Sequence, residues 1–105
     1  MTSSQKPAEP TKYALDFNVQ AQKEWKKLDS TIQLQFARKL KERLGNPRVE
    51  ADKLRDMPNC YKIKLRSLGY RLVYEVIERR LVVTVIAVGK RERGKAYQRS
   101  SDRLK

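Results

Sequence analysis

At 105 residues and 39% hydrophobic composition, the chain is sized for one small domain with a single modest core. Its 25 Lys and Arg against 12 Asp and Glu give a formal net charge of +13, and a field of that sign favours polyanions, nucleic acid first and an anionic membrane surface second. No stretch reaches the ~18 apolar residues of a membrane span and the N-terminus lacks a signal-peptide core. Cys60, the only cysteine, leaves no internal disulfide or thiolate metal cluster, so the composition fits a reducing cytoplasm. Histidine is absent, which leaves proton transfer to Lys, Arg, Tyr, Asp, Glu or the substrate itself.

Residues 1–11 are polar, contain two prolines and have no periodicity, and they read as a disordered leader before a domain spanning 12–105. Lys12 to Phe17 alternates, with Tyr13, Leu15 and Phe17 on one face, as a short first strand does. Asn18 can cap a helix with Ala21, Trp25 and Leu28 on one stripe. Asp29 or Ser30 can cap a second, in which Ile32, Phe36, Leu40 and Leu44 recur at i+4 with Ala37 beside them, until Gly45 and Pro47 end it. Its charged side, Arg38, Lys39, Lys41 and Arg43, reads as a solvated face ahead of an RNA-binding or partner-binding surface. Arg48 to Asn59 has no clean period and is expected to connect over the sheet edge.

The stretch CYKIKLRSLGYR, from Cys60 to Arg71, organises the rest. Alternation puts Tyr61, Ile63 and Leu65 on a core face and Lys62, Lys64 and Arg66 on the other. A second alternating run, Tyr70 to Ile77, follows, and a two-residue turn at Leu68-Gly69 would set Arg66 opposite Arg71 and Glu75 opposite Lys62. After a turn at Glu78-Arg79-Arg80, Leu81 to Val88 is apolar on both faces, as an inner strand is, and Gly89 is expected to stop it. The basic remainder, Lys90 to Lys105, has Ala96, Tyr97 and Leu104 as apolar contacts for a weakly docked final helix. The predicted class is α+β: strand, helix, helix, a three-stranded antiparallel meander and a short C-terminal helix in one domain.

No Gly-rich phosphate loop, metal-ligand spacing or Ser or Cys triad is present, so neither metal nor cofactor is expected. Strand order would let Arg91 approach Lys62, Lys64 and Arg71, giving either a polyphosphate site or a solvated cationic face that protects an edge. Cys60 reads as a small buried residue at a strand start.

The runs NCYKIKLRSLGYRLVYEVI and VVTVIAVGKRERGKAY, with KEWKKLD and NPRVEADKLRDM before them, resemble the RelE family of bacterial toxins within the wider RelE/ParE superfamily, over nearly everything from Lys12 onward. The resemblance implies a RelE-like, microbial ribonuclease-like fold and a metal-independent endoribonuclease that cuts messenger RNA in the ribosomal aminoacyl site and is held inactive by a cognate RelB-like antitoxin. Carried onto matching positions, it implies catalytic roles for Lys62, Lys64, Arg71, Arg91 and Tyr97. Arg55 would contact RNA or ribosome, and neighbouring Arg66, Lys90 and Arg93 join it as candidates. Asp56 stands where the family commonly has glycine, and the leader is additional. The gyrase-directed branch generally lacks the Lys-x-Lys with a downstream Arg and Tyr.

With neither His nor metal, the simplest cleavage is attack by the 2′-hydroxyl on the adjacent phosphate, giving a 2′,3′-cyclic phosphate and a free 5′-hydroxyl. Arg71 and Arg91 suit charge neutralisation on the phosphorane, and Arg91 could also orient or protonate the departing 5′-oxygen. Lys62 or Lys64 is the expected base; cationic neighbours disfavour a charged lysine while bound phosphate favours it. Tyr97 could stack on a base, take part in proton transfer or anchor the terminal segment. The rival readings are a non-catalytic basic module that grips RNA or DNA, and a gyrase inhibitor.

Overall fold

The computed structural model describes residues 12–90 and Arg103. Its elements are β1 (Ala14–Phe17), α1 (Val19–Lys26), α2 (Ser30–Gly45), β2 (Cys60–Leu65), β3 (Tyr70–Ile77) and β4 (Val82–Lys90). The four strands form one sheet in the order β1-β4-β3-β2, with β1 parallel to β4 and the other pairs antiparallel. The expected strand, helix, helix and meander are all present. The leader 1–11 and the terminal helix lie outside the described residues, apart from Arg103.

Each helix begins where a short polar side chain takes up an orphan N–H: Asn18 accepts from Ala21 N–H at 2.9 Å and Asp29 from Thr31 N–H at 3.1 Å. The α2 stripe buries Ile32, Phe36 and Leu40 against the sheet, joined by Ala21 from α1, Ile63 and Leu65 from β2, Leu72, Tyr74 and Val76 from β3, and Val83, Val85 and Val88 from β4. Phe17, Trp25 and Leu28 close its rim. Leu15, expected on the core face, is 40% exposed, because β1 is an edge strand and α2 does not reach over it fully.

The opposite face of the sheet carries a second, smaller cluster: Leu54, Met57, Cys60, Val73 and Ile86. The Arg48–Asn59 connection therefore does more than skirt the edge. It makes a bridge from Lys53 to Tyr61 beside β2 and folds Leu54 and Met57 onto the sheet, which is why β4 is apolar on both faces. Burial at Leu54 and Met57 was hidden from the sequence because the segment has no period to read.

The β2–β3 register differs from the expected one by two residues. Lys64 pairs with Arg71, Leu65 with Tyr70 and Ile63 with Leu72, and the chain turns through Arg66–Leu68 in a single 3₁₀ turn ending at Gly69. A two-residue turn would have required a positive φ at Leu68, whereas the observed turn needs it only at Gly69, whose φ is 71°. A Cβ on Gly69 would meet nothing within 4 Å, so glycine is there for its backbone angle and not for space. Because the shift is even, every side chain stays on its expected face. It moves Glu75 away from Lys62, however: Glu75 lies opposite Cys60 and Thr84, and Lys62 lies opposite Val73.

Strand β4 does not stop at Gly89 but runs on to Lys90, because Gly89 and Lys90 still pair with Arg71 and Tyr70. Between Val73 and Tyr74 the β3–β4 register slips, leaving Ile86 as the extra residue of a bulge. Two side chains take the main-chain groups around it: Arg103 Nη1 donates to the Ile86 carbonyl at 2.6 Å, and Glu24 Oε1 accepts from Val88 N–H at 3.1 Å. Arg103 and Glu24 also form a fork, 3.0 Å at each of two nitrogen–oxygen pairs. Arg103 is thus held by charge and hydrogen bonds to Glu24 and the Ile86 carbonyl.

Candidate nucleic-acid site

The sheet face opposite the helices presents the cations of β2 and β3. Lys64 and Arg71 are direct cross-strand partners, and side chains on one rung stand with Cβ atoms about 4.5–5.5 Å apart. Lys62 shares their face one pleat further along, opposite Val73, and all three are partly exposed. On the other side of β3, Arg71 pairs with Gly89 of β4, so Lys64, Arg71 and Gly89 form one row across three strands.

A cavity of about 270 Å³ opens at this end of the sheet, lined by Lys64, Leu65, Arg66, Gly69, Tyr70 and Arg71. It surrounds the last two rungs of the β2–β3 ladder and the start of the turn. Among the candidates from the sequence, Lys64, Arg66 and Arg71 line it, Lys62 stands beside it, and exposed Lys90 ends β4 opposite Tyr70. Arg55 is exposed on the connection between Leu54 and Met57. Arg91, Arg93 and Tyr97 lie outside the described residues. Among the described residues there is no grouping of three or more His, Cys, Asp or Glu side chains able to hold a metal ion. No helix among them is long and apolar enough to cross a membrane.

Behind the cations lies a polar network that the sequence reading placed in solvent. Arg43 is not on a solvated face: its side chain is 15% exposed, and Nη1 donates to the Tyr74 hydroxyl at 2.8 Å and to the Lys62 carbonyl at 3.2 Å. Nη2 pairs with Asp52 at 2.6 Å. The Tyr74 hydroxyl in turn donates to the Pro47 carbonyl at 2.7 Å. Burial raises the Tyr74 pKa above that of a free phenol, against the lowering effect of Arg43. The network ties α2, the connection, β2 and β3 together at the strand carrying Lys62 and Lys64. The signal was available: Arg43 lies three residues after Leu40 and seven after Phe36, within the buried stripe of α2.

The chain is similar to known proteins in both sequence and fold. Residues 15–94 match the family described as ParE toxin of type II toxin-antitoxin system, parDE. The chain is 59% identical over 92 residues to the mRNA interferase toxin RelE of Escherichia coli (strain K12), covering 88% of this chain and 97% of that one. A double-arginine mutant of E. coli RelE in the free state superposes with a TM-score of 0.83 at 56% identity, covering 89% of this chain and 98% of the other. The toxin in the intact E. coli RelBE toxin-antitoxin complex matches with a TM-score of 0.75 at 63% identity, over 77% of this chain and 99% of that one.

Proposed function

The chain belongs to the RelE family of toxins within the RelE/ParE superfamily, and we infer from that premise that it works as its relatives are named: it is an mRNA interferase, an endoribonuclease toxin of a type II toxin-antitoxin system with a RelB-like antitoxin as its partner. Its substrate is messenger RNA on the ribosome, which places it in the cytoplasm. The observation that carries the reading is the shared rung of Lys64 and Arg71 beside a cavity at the sheet end, within a chain 59% identical to an mRNA interferase.

The reaction that suits these side chains uses the substrate's own nucleophile. The 2′-oxygen attacks the adjacent phosphorus, the bond from phosphorus to the 5′-oxygen breaks, and the products are a 2′,3′-cyclic phosphate and a 5′-hydroxyl. Arg71 holds the non-bridging oxygens, since a guanidinium stays protonated and its planar fork matches two of them. Lys64, on the same rung, is better placed than Lys62 to take the 2′-hydroxyl proton. Arg91 follows Lys90 directly in sequence and serves as a second charge-neutralising group that orients the departing 5′-oxygen; Tyr97 contributes a stacking face or a hydroxyl. Arg55, Arg66, Lys90 and Arg93 add phosphate contacts to message or ribosomal RNA. In-line geometry is supplied largely by the ribosome, which makes free RNA a poor substrate.

The end groups left on message from programmed ribosomes test this. A 2′,3′-cyclic phosphate and a 5′-hydroxyl are expected; intact message with salt-sensitive binding would leave a basic binding module, and DNA damage independent of ribosomes would leave a gyrase inhibitor.

A further inference from the structure

The cavity at the end of the β2–β3 ladder has an aromatic wall that the chemistry above leaves unused. Tyr70 lines it together with Lys64, Arg66 and Arg71. Tyr70 is partly buried and packs against the main core on the pleat side of Leu65 and Leu72, and it borders the cavity at the end of the ladder, with Lys64 and Arg71 on the other side of the sheet. Its neighbour in the turn, Gly69, has open space where a Cβ would project. Leu65 and Tyr70 form the last rung of the β2–β3 ladder.

Cations and an aromatic ring around one cavity are what a single RNA strand needs: charge for the phosphates and a flat apolar surface for an unstacked base. The cavity volume of about 270 Å³ is at the small end of ligand pockets, which suits one base. We propose that Tyr70 is a base-stacking residue of the cleavage site, receiving one nucleobase of the message next to the phosphodiester held by Lys64 and Arg71. Tyr70 thereby sets which nucleotide enters the reactive position. The proposal rests on the mRNA interferase reading. It assigns the ring a role separate from phosphate binding, and a phenylalanine can fill that role because the hydroxyl takes no part.

The test is a cycle between protein and message. Ribosomes are programmed with messages in which each nucleotide of the aminoacyl-site codon is replaced in turn by an abasic ribose, and single-turnover cleavage is measured at saturating ribosome. Wild type and Tyr70→Phe should lose about 5- to 150-fold at one abasic position, the size of one base–aromatic stack. Tyr70→Leu should already be slower by that factor on the intact message and lose nothing more at that position. Equal abasic losses in wild type and Tyr70→Leu would overturn the proposal.

A second measurement uses wild type alone, in case the leucine variant does not fold. A photoreactive 4-thiouridine is placed at each codon position, with a 2′-deoxy nucleotide at the cleavage point to block attack. Cross-links should map to Tyr70, and cross-links confined to residues away from 64–71 would overturn it. Cleavage of unmodified message by wild type, run alongside, separates failure of this assignment from failure of the nuclease reading.

Discussion

Arg43 donates a hydrogen bond from its guanidinium to the main-chain carbonyl of Lys62, at 3.2 Å, across the gap between α2 and β2. The same guanidinium reaches Tyr74 on β3 and Asp52 on the connection, so a single side chain sets the spacing of three segments under the cation row. Arg43→Met should destabilise the protein by about 2–3 kcal/mol, less than the loss from a fully buried pair because Asp52 retains some solvent. Urea denaturation reads that change. Cleavage per folded molecule should fall as well, and Arg43→Lys, which keeps the charge but not the planar fork, should fall between the two.

The shared rung of Lys64 and Arg71 predicts a division between rate and affinity. A guanidinium that meets charge developing in the transition state contributes about 10²–10³ in rate as a preorganised donor. Arg71→Ala should therefore lower single-turnover cleavage at saturating ribosome by that factor while ribosome affinity changes little. The ribosome-binding charges are many and spread out, and removing one shifts only one phosphate contact. Near-normal cleavage by the variant would remove Arg71 from the chemistry.

Glu75 and Glu78 should give the stability curve two opposed acid-range contributions. Hydrogen bonds from Tyr13 at 2.7 Å and Arg48 at 2.6 Å hold the Glu78 carboxyl below the usual carboxylate range, while burial raises Glu75. For Glu78 the folded value lies below the unfolded one, so its stabilisation is present above about pH 4.3 and lost as pH falls through the folded value. For Glu75 the order is reversed, and its favourable contribution is present below about pH 4.3 and lost as pH rises through the folded value. Glu75→Gln should accordingly gain stability over wild type at neutral pH and lose that advantage on acidification. Glu78→Gln should be less stable at neutral pH and draw level in acid. Urea midpoints across the acid range check both, and shifts of the same sign in the two variants would contradict the assignment.

At the Ile86 bulge, removal of Arg103 deletes two charge-assisted bonds to Glu24 and the partner of the Ile86 carbonyl. Arg103→Met should cost about 1–2 kcal/mol by thermal or urea unfolding, and Arg103→Lys should recover part of it. Hydrogen exchange at Val88, whose N–H is held by the same Glu24, should quicken in Arg103→Met.

The period-2 pattern was enough to separate core from cation on β2 and β3, since alternation is a local property and survives an even register error. The register itself was not legible, because it depends on where φ turns positive, and the sequence offers Gly69 within a turn whose length is free. Lys64 and Arg71 were therefore placed on the right face but opposite the wrong partners. The helix stripe located Phe36 and Leu40, yet Arg43 lies on that stripe too and was assigned to solvent by its charge alone. A buried Tyr74 hydroxyl needs a partner, and that requirement could have drawn Arg43 inward. The second cluster depended on Leu54 and Met57 in a segment without period, where only tertiary contact decides burial.

Cys60 offers a direct reading of how that second cluster opens. Its thiol is fully buried, and burial first, with the Glu75 charge second, pushes its pKa up to about 12. The native protein should not react with a thiol reagent at neutral pH, since neither thiolate nor access is present. Among the described residues the cover from the connection is Leu54 and Met57, with Leu54 N–H bonded to the Cys60 carbonyl at 2.9 Å. Opening that connection exposes the sulfur without separating the helices from the sheet, so labelling should run faster than global unfolding. Leu54→Ala removes packing from this cover and should speed labelling by a larger factor than its urea midpoint implies. Labelling that follows the global unfolding rate in both proteins would show instead that the connection and the main core open as one unit.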